Sequence, residues 1–258
     1  MSESANQDGA EALPFVAPCR RLDTHAALRW VSLGWRDLTR APRQSLTYGL
    51  VIMLISWAVT LVGWRFGSYW VVLTLLSGFV FVAPVLAIGL YSISRQLSRE
   101  ERPSLRRCFA EQREDFATLM VFALVLLVVF LVWARAGSMV HVFFPVEAHP
   151  DWRALSLFLG IGSAVGSIFA AITFACSAFA LPMIADREVD AVTAVVTSFN
   201  AVLRNKRAML VWSGTIVTLT AIGFATGLVG LAIVIPLLGH ATWHAYRDTI
   251  DAVAWSPR

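Results

Sequence analysis

The stretch AMLVWSGTIVTLTAIGFATGLVGLAIVIPLLGHATWHAY, Ala208–Tyr246, decides how the chain is counted. It is 39 residues long with no charged side chain. As one helix it would extend about 60 Å, roughly twice a bilayer's hydrocarbon core. Gly223, Gly227 and Gly230 lie near its middle, so the stretch divides into two spans with a turn around Gly223–Gly227. Four further apolar blocks precede it, at Leu46–Trp64, Tyr69–Ile93, Phe116–Trp133 and Leu155–Ile184. Together they predict an all-α polytopic membrane protein of six transmembrane helices.

Composition agrees. The 258 residues have a mean hydropathy of +0.67, are 57% hydrophobic and only 15% charged, where a soluble domain carries about 25% charge. The basic residues are asymmetric. Arg20, Arg21, Arg29, Arg36, Arg40 and Arg43 precede span one, a second group from Arg95 to Arg113 separates spans two and three, and Arg187, Arg204, Lys206 and Arg207 separate spans four and five. Arg247 and Arg258 follow span six; Arg65, Arg135 and Arg153 fall on the other side. This places both termini in the cytoplasm, and it explains the basic pI better than nucleic-acid binding does. Residues 1–23 are polar, lack a signal-peptide pattern and read as a disordered cytoplasmic tail, leaving 24–258 as a single membrane domain.

Three spans end alike, at Val80-Phe-Val-Ala-Pro84-Val-Leu86, Ala178-Phe-Ala-Leu-Pro182-Met-Ile184 and Ala232-Ile-Val-Ile-Pro236-Leu-Leu238. Each closes a hairpin, and each hairpin follows a segment of helical character, at His25–Arg40, Ser104–Asp115 and Asp190–Arg204. The chain therefore reads as three repeats of interfacial helix plus transmembrane hairpin, approximately 24–102, 103–188 and 189–250. In the first interfacial helix Arg29, Arg36, Arg40 and, if the helix continues past Pro42, Arg43 form one stripe, with Leu28, Val31, Trp35 and Leu38 opposite. Such a helix is expected in the headgroup plane, its arginines toward lipid phosphates.

Several motifs resemble an uncharacterised family of bacterial inner-membrane proteins, domain-of-unknown-function family 2189. They are ALRWVSLGWRDLTRAP (Ala27–Pro42), LPMIADREVDAVTAVVTS (Leu181–Ser198) and PLLGHATWHAYRD (Pro236–Asp248). The resemblance implies a multi-span protein without an assigned activity. Labels carried by some relatives make a respiratory oxidase complex an expected partner. With five histidines in all, the chain cannot be the metal-bearing catalytic subunit of such an enzyme.

No catalytic constellation stands out, no phosphate loop is present, and the spans are nearly free of ionisable groups. Two features remain. Gly162, Gly166 and Ala170 recur every four residues in span four and suit close helix packing, within the bundle or against a partner. Asp186 and Asp190 fall four and eight residues after Pro182, as His240 and His244 do after Pro236, and with Arg247, which continues the histidine stripe, they form a candidate polar cluster. The histidines lie one turn apart on one helix face, so polar packing between helices is the principal reading; a shared metal ion, or a haem with an opposing ligand, are the alternatives. The overall expectation is a non-enzymatic accessory or assembly component of a membrane complex, in contact with lipid and without cofactor; a small-molecule or lipid transporter, or a haem- or metal-binding membrane protein, is the alternative.

Overall fold

The computed structural model describes residues 14–66, 86–114, 116–143 and 152–258, and its elements are helices apart from two isolated bridges, Cys19–Ile250 and Arg187–Pro257. They run α1 (Ala26–Arg40), α2 (Pro42–Phe66), α3 (86–98), α4 (Leu105–Glu114), α5 (Phe116–Phe143), α6 (Trp152–Ser177), α7 (Ala180–Asp186), α8 (Ala191–Arg204), α9 (Lys206–Ala225) and α10 (Leu231–Thr249). The segments expected as short helices are α1, α4 and α8. The 39-residue block does divide, across a turn at 226–230 in which Gly227 and Leu228 have φ of 64° and 71°.

Helix breaks follow local chemistry. Ala41 leaves the helical region between α1 and α2, and Pro42 occupies the first position of α2, where its missing N–H costs no hydrogen bond. The interruption between α6 and α7 is stitched from outside. The Phe179 N–H donates to Ser198 Oγ at 3.0 Å, and Ser198 Oγ donates to the Ala175 carbonyl at 2.8 Å. One buried hydroxyl on α8 thus satisfies a donor and an acceptor near the break. Asp190 caps α8, its Oδ1 accepting from the Val192 and Thr193 N–H groups at 2.9 Å each.

Among the described residues, four helical stretches are long and apolar enough to cross a membrane: Pro42–Phe66, Phe116–Met139, Ser156–Asp186 and Lys206–Ala225. The expected second span lies largely outside the described residues, as do Pro84 and residues 1–13. Helix α10 has 19 residues, but its second half carries His240, His244, Arg247 and Asp248.

The buried core sits at the end of the bundle where the basic residues gather. Trp30 of α1 meets Trp212 of α9 edge-on at 5.5 Å, and Trp243 and Tyr246 of α10 pack nearby with Phe179, Met183 and Ile184. Helices α1 and α2 run antiparallel to α10. Going up α1 and α2, Trp30 reaches Asp248, Asp37 reaches His244, Ser45 reaches His240 and Gly49 reaches Ala232. Two close approaches hold this seam. A Cβ on Gly34 would lie 2.7 Å from the Ala241 nitrogen, and one on Gly49 would lie 1.9 Å from the Ala232 oxygen. Ala232 is the carbonyl four residues before Pro236, which has no N–H to give it. The bare backbone of Gly49 seats itself on that carbonyl.

The expected first interfacial helix lies along α10: its buried face is Ala27, Trp30, Gly34, Asp37 and Leu38, while Leu28 and Trp35 are exposed. One expectation is corrected. Residues 14–23 are not a free tail. They cross the ends of α8 and α10 as an extended strap, with Ala17 N–H on Thr197 Oγ1 at 3.1 Å, Arg20 N–H on the Thr249 carbonyl at 2.8 Å and Leu22 N–H on Asn205 Oδ1 at 2.9 Å. Low local hydrophobicity suggested disorder, but side chains remote in sequence satisfy the strap's backbone.

Candidate functional site

The site is built on the half of α10 that follows Pro236. A helix turn places His240 and His244 on one face, and α1, α2 and α3 close over that face. His240 is fully buried. Its Nε2 lies 2.8 Å from Ser45 Oγ of α2, and its Nδ1 lies 2.7 Å from Ser94 Oγ of α3. Ser94 donates its single hydroxyl proton to Asp37 Oδ2 of α1 at 2.8 Å, so it must accept from His240 Nδ1–H. A ring protonated on Nδ1 and accepting on Nε2 satisfies both contacts. The same Asp37 oxygen is 2.8 Å from His244 Nε2. The result is one chain of groups, Ser45–His240–Ser94–Asp37–His244, that spans four helices. It is closed at Ser45 and opens toward solvent only at His244, whose side chain is about one-fifth exposed (22%).

A second set lies further along α10. Asp186 Oδ2 accepts from Tyr246 Oη at 2.9 Å, from Arg187 Nε at 3.1 Å and from Arg247 Nη1 at 3.3 Å. Tyr246 brings a buried donor, and the two guanidiniums offset the carboxylate charge that burial would otherwise penalise. The Asp186 carbonyl also accepts from the Arg258 N–H, and Arg187 Nη1 donates to the Trp255 carbonyl, so the C-terminal segment folds over this end of α7 and α10. A third set joins α3 to α4. Buried Arg95 pairs with Glu111 through Nη2 at 2.6 Å and donates through Nη1 to the Ala185 carbonyl, while Ser92 donates to the same Glu111 carboxylate. Gln96 holds the start of α4 by accepting from the Ser104 N–H at 2.9 Å.

The expected polar cluster is therefore divided. His240 and His244 are together, and Asp186 and Arg247 are together, but Asp186 bonds neither histidine. Asp190 is occupied at the start of α8. Partial burial works to raise its pKa, but hydrogen bonds from Thr193 and Val192 outweigh that and hold it below the ordinary carboxylate value. Its alignment with His244 in the repeat does not bring them together, because the chain turns out of α7 at Arg187.

The residues missed by pattern reading were Asp37, Ser45 and Ser94. One signal existed for the first: Asp37 is the sole carboxylate in residues 26–66, in a segment otherwise basic or apolar. It lies on the stripe Trp30, Gly34, Asp37, Ala41 and Ser45, spaced three or four residues apart. The serines gave no such signal, since span ends commonly carry serine.

Among the described residues, no three His, Cys, Asp or Glu side chains are grouped so as to hold a metal ion. Gly162 meets no described atom within 4 Å of an added Cβ, and Gly166 meets only Trp133 Nε1 at 3.9 Å; Gly162 and Ala170 are exposed. Of the described residues, only Trp133 of α5 approaches the two glycines, at Gly166, and the expected second span lies outside the described residues. Arg29 is bound to Asp23 at 3.1 Å and to Asp248 at 2.7 Å, joining α1 to α10 rather than facing lipid alone. Trp35, Arg36 and Arg40 are exposed.

Long apolar helices carried on a closed polar core define an integral membrane protein. Residues 71–186 match the family described as "Predicted integral membrane protein (DUF2189)", the family that the motifs resembled. The match overlaps only the start of the middle motif, so the α1 and α10 motifs lie outside it. No curated protein and no solved structure matches the chain.

Proposed function

We propose that the protein is a non-enzymatic component of a larger inner-membrane complex, with six spans and both termini cytoplasmic, and that it works by association. The observation that carries this reading is the face of α6 on which, among the described residues, Gly162 meets nothing and Gly166 only Trp133. Gly162, Gly166 and Ala170 offer a flat, small-residue stripe at four-residue spacing, the pattern that admits a second helix to close contact in lipid. The polar groups support the same reading. Both nitrogens of His240 are engaged by serines, which leaves no open position for haem or metal and suits a lock between α1, α2, α3 and α10. Polar residues of α3, α7 and α10 all follow one of the three prolines, which supports the repeat.

The resemblance alone makes a respiratory oxidase the first complex to test. Native purification in mild detergent should recover the chain with stoichiometric partner subunits, and Gly166→Leu should release them while leaving thermal unfolding of the chain unchanged. Recovery of the chain alone, or an intact complex with Gly166→Leu, rejects this role for α6. Alkaline phosphatase fused near His141 should be active and fused after Arg258 inactive; an active C-terminal fusion removes the sixth span.

A further inference from the structure

Helices α1 and α2 leave one continuous stripe exposed on the side away from α10. It begins with Arg36, Arg40 and Arg43, each three or four residues from the last, and continues at the same spacing along α2 through Thr47 to Leu50, Leu54 and Trp57. The arginines have no carboxylate partner among the described residues, unlike Arg29, Arg95, Arg107, Arg187 and Arg247, which all do. The reason is local. Asp37 is the only acid in residues 26–66, and it is turned inward, held by Ser94 and His244. The network that locks the helices thus removes the one group that would neutralise the outer face.

We propose that this stripe is a binding site for an anionic glycerophospholipid, with the arginines on the headgroup phosphates and Leu50, Leu54 and Trp57 along an acyl chain. The dimensions match one molecule. From Arg43 to Trp57 the helix rises about 21 Å, roughly half of the 40–45 Å bilayer with its headgroups and so one leaflet. Guanidinium groups bind phosphate through paired N–H donors, and each basic side chain at an anionic surface strengthens attachment. The apolar continuation distinguishes a lipid from a free phosphate, which would use the arginines alone.

The test uses the full chain in nanodiscs of phosphatidylcholine with a minority of phosphatidylglycerol, and native mass spectrometry to read which lipid the released protein retains. The wild type should retain phosphatidylglycerol over phosphatidylcholine, and water-soluble glycerophosphate in excess should not displace it. The triple variant Arg36→Gln, Arg40→Gln, Arg43→Gln should lower that preference roughly tenfold or more, and the same three positions changed to Lys should keep most of it. These side chains have no described partner, so unfolding temperatures should match the wild type; should the Gln variant not fold, Leu50→Ser with Leu54→Ser should weaken retention instead. The proposal fails if the wild type shows no preference or if glycerophosphate competes. It also fails if Arg204→Gln, Lys206→Gln, Arg207→Gln lowers the preference as much, or if the Arg36 triple variant sheds a protein subunit while its lipids are unchanged.

Discussion

The half of α10 after Pro236 and the half of α6 before Ala171 are both helices beside an apolar stretch, and both carry small residues at helical spacing. Their surroundings differ completely. Around α10, Ala241 and Gly239 are pressed against α1 and α3, and His240 is sealed by two serines. Around α6, Gly160 and Gly162 meet no described neighbour. Small residues therefore mark close approach only where something draws the helices together. At the α10 end, hydrogen bonds that would be costly to leave unmade provide that pull. Along α6 the surrounding lipid is as apolar as the side chains, and burial of apolar surface gives little reason to close the gap.

The contrast is most severely tested by paired glycine substitutions. Gly49→Leu puts side-chain atoms where the Ala232 oxygen already sits, 1.9 Å from the Cβ position, and Pro236 Cγ is 2.8 Å away. It should destabilise the chain by about 3 kcal/mol or more, as severe overpacking against backbone. Gly162→Leu in the same thermal assay should shift nothing. Equal responses would mean that the two ends are packed alike.

A second test asks whether polar groups hold the α10 end. His240→Leu leaves Ser45 and Ser94 without their buried ring partner and should cost about 2–3 kcal/mol. Removing all three groups together, with Ser45→Ala, Ser94→Ala and His240→Leu, should cost less than the sum of the single changes, because no orphaned hydroxyl remains at the ring. Additive losses measured by denaturation would show that the three groups do not act as one network.

The smallest effect concerns α8, which is tied to the break between α6 and α7 through Ser198. Asp190→Ala should cost about 1 kcal/mol by loss of the helix cap. Because the folded pKa of Asp190 is lowered, its contribution is present above the unfolded value near 3.9 and is lost as pH falls through the lower folded value. The stability difference between wild type and Asp190→Ala should therefore shrink below about pH 4. A difference that grows on acidification would reverse the assignment.

Much of the architecture was written locally. The apolar blocks, the three short helices at 26–40, 105–114 and 191–204, and the division of Ala208–Tyr246 all follow from periodicity, length and turn residues, which depend on neighbours in the chain. That His240 and His244 share a face also follows from helix geometry alone. The partners of those histidines did not, because Asp37, Ser45 and Ser94 come from three other helices, and hydroxyls and single carboxylates have no spacing that announces a distant acceptor. The inward face of α1 was equally beyond reach. On spacing alone Leu28, Val31, Trp35 and Leu38 form the apolar stripe of α1, yet Leu28 and Trp35 are exposed; the docking of α10, with Ala241 against Gly34 and His244 on Asp37, selects the neighbouring face of Ala27, Trp30, Gly34, Asp37 and Leu38.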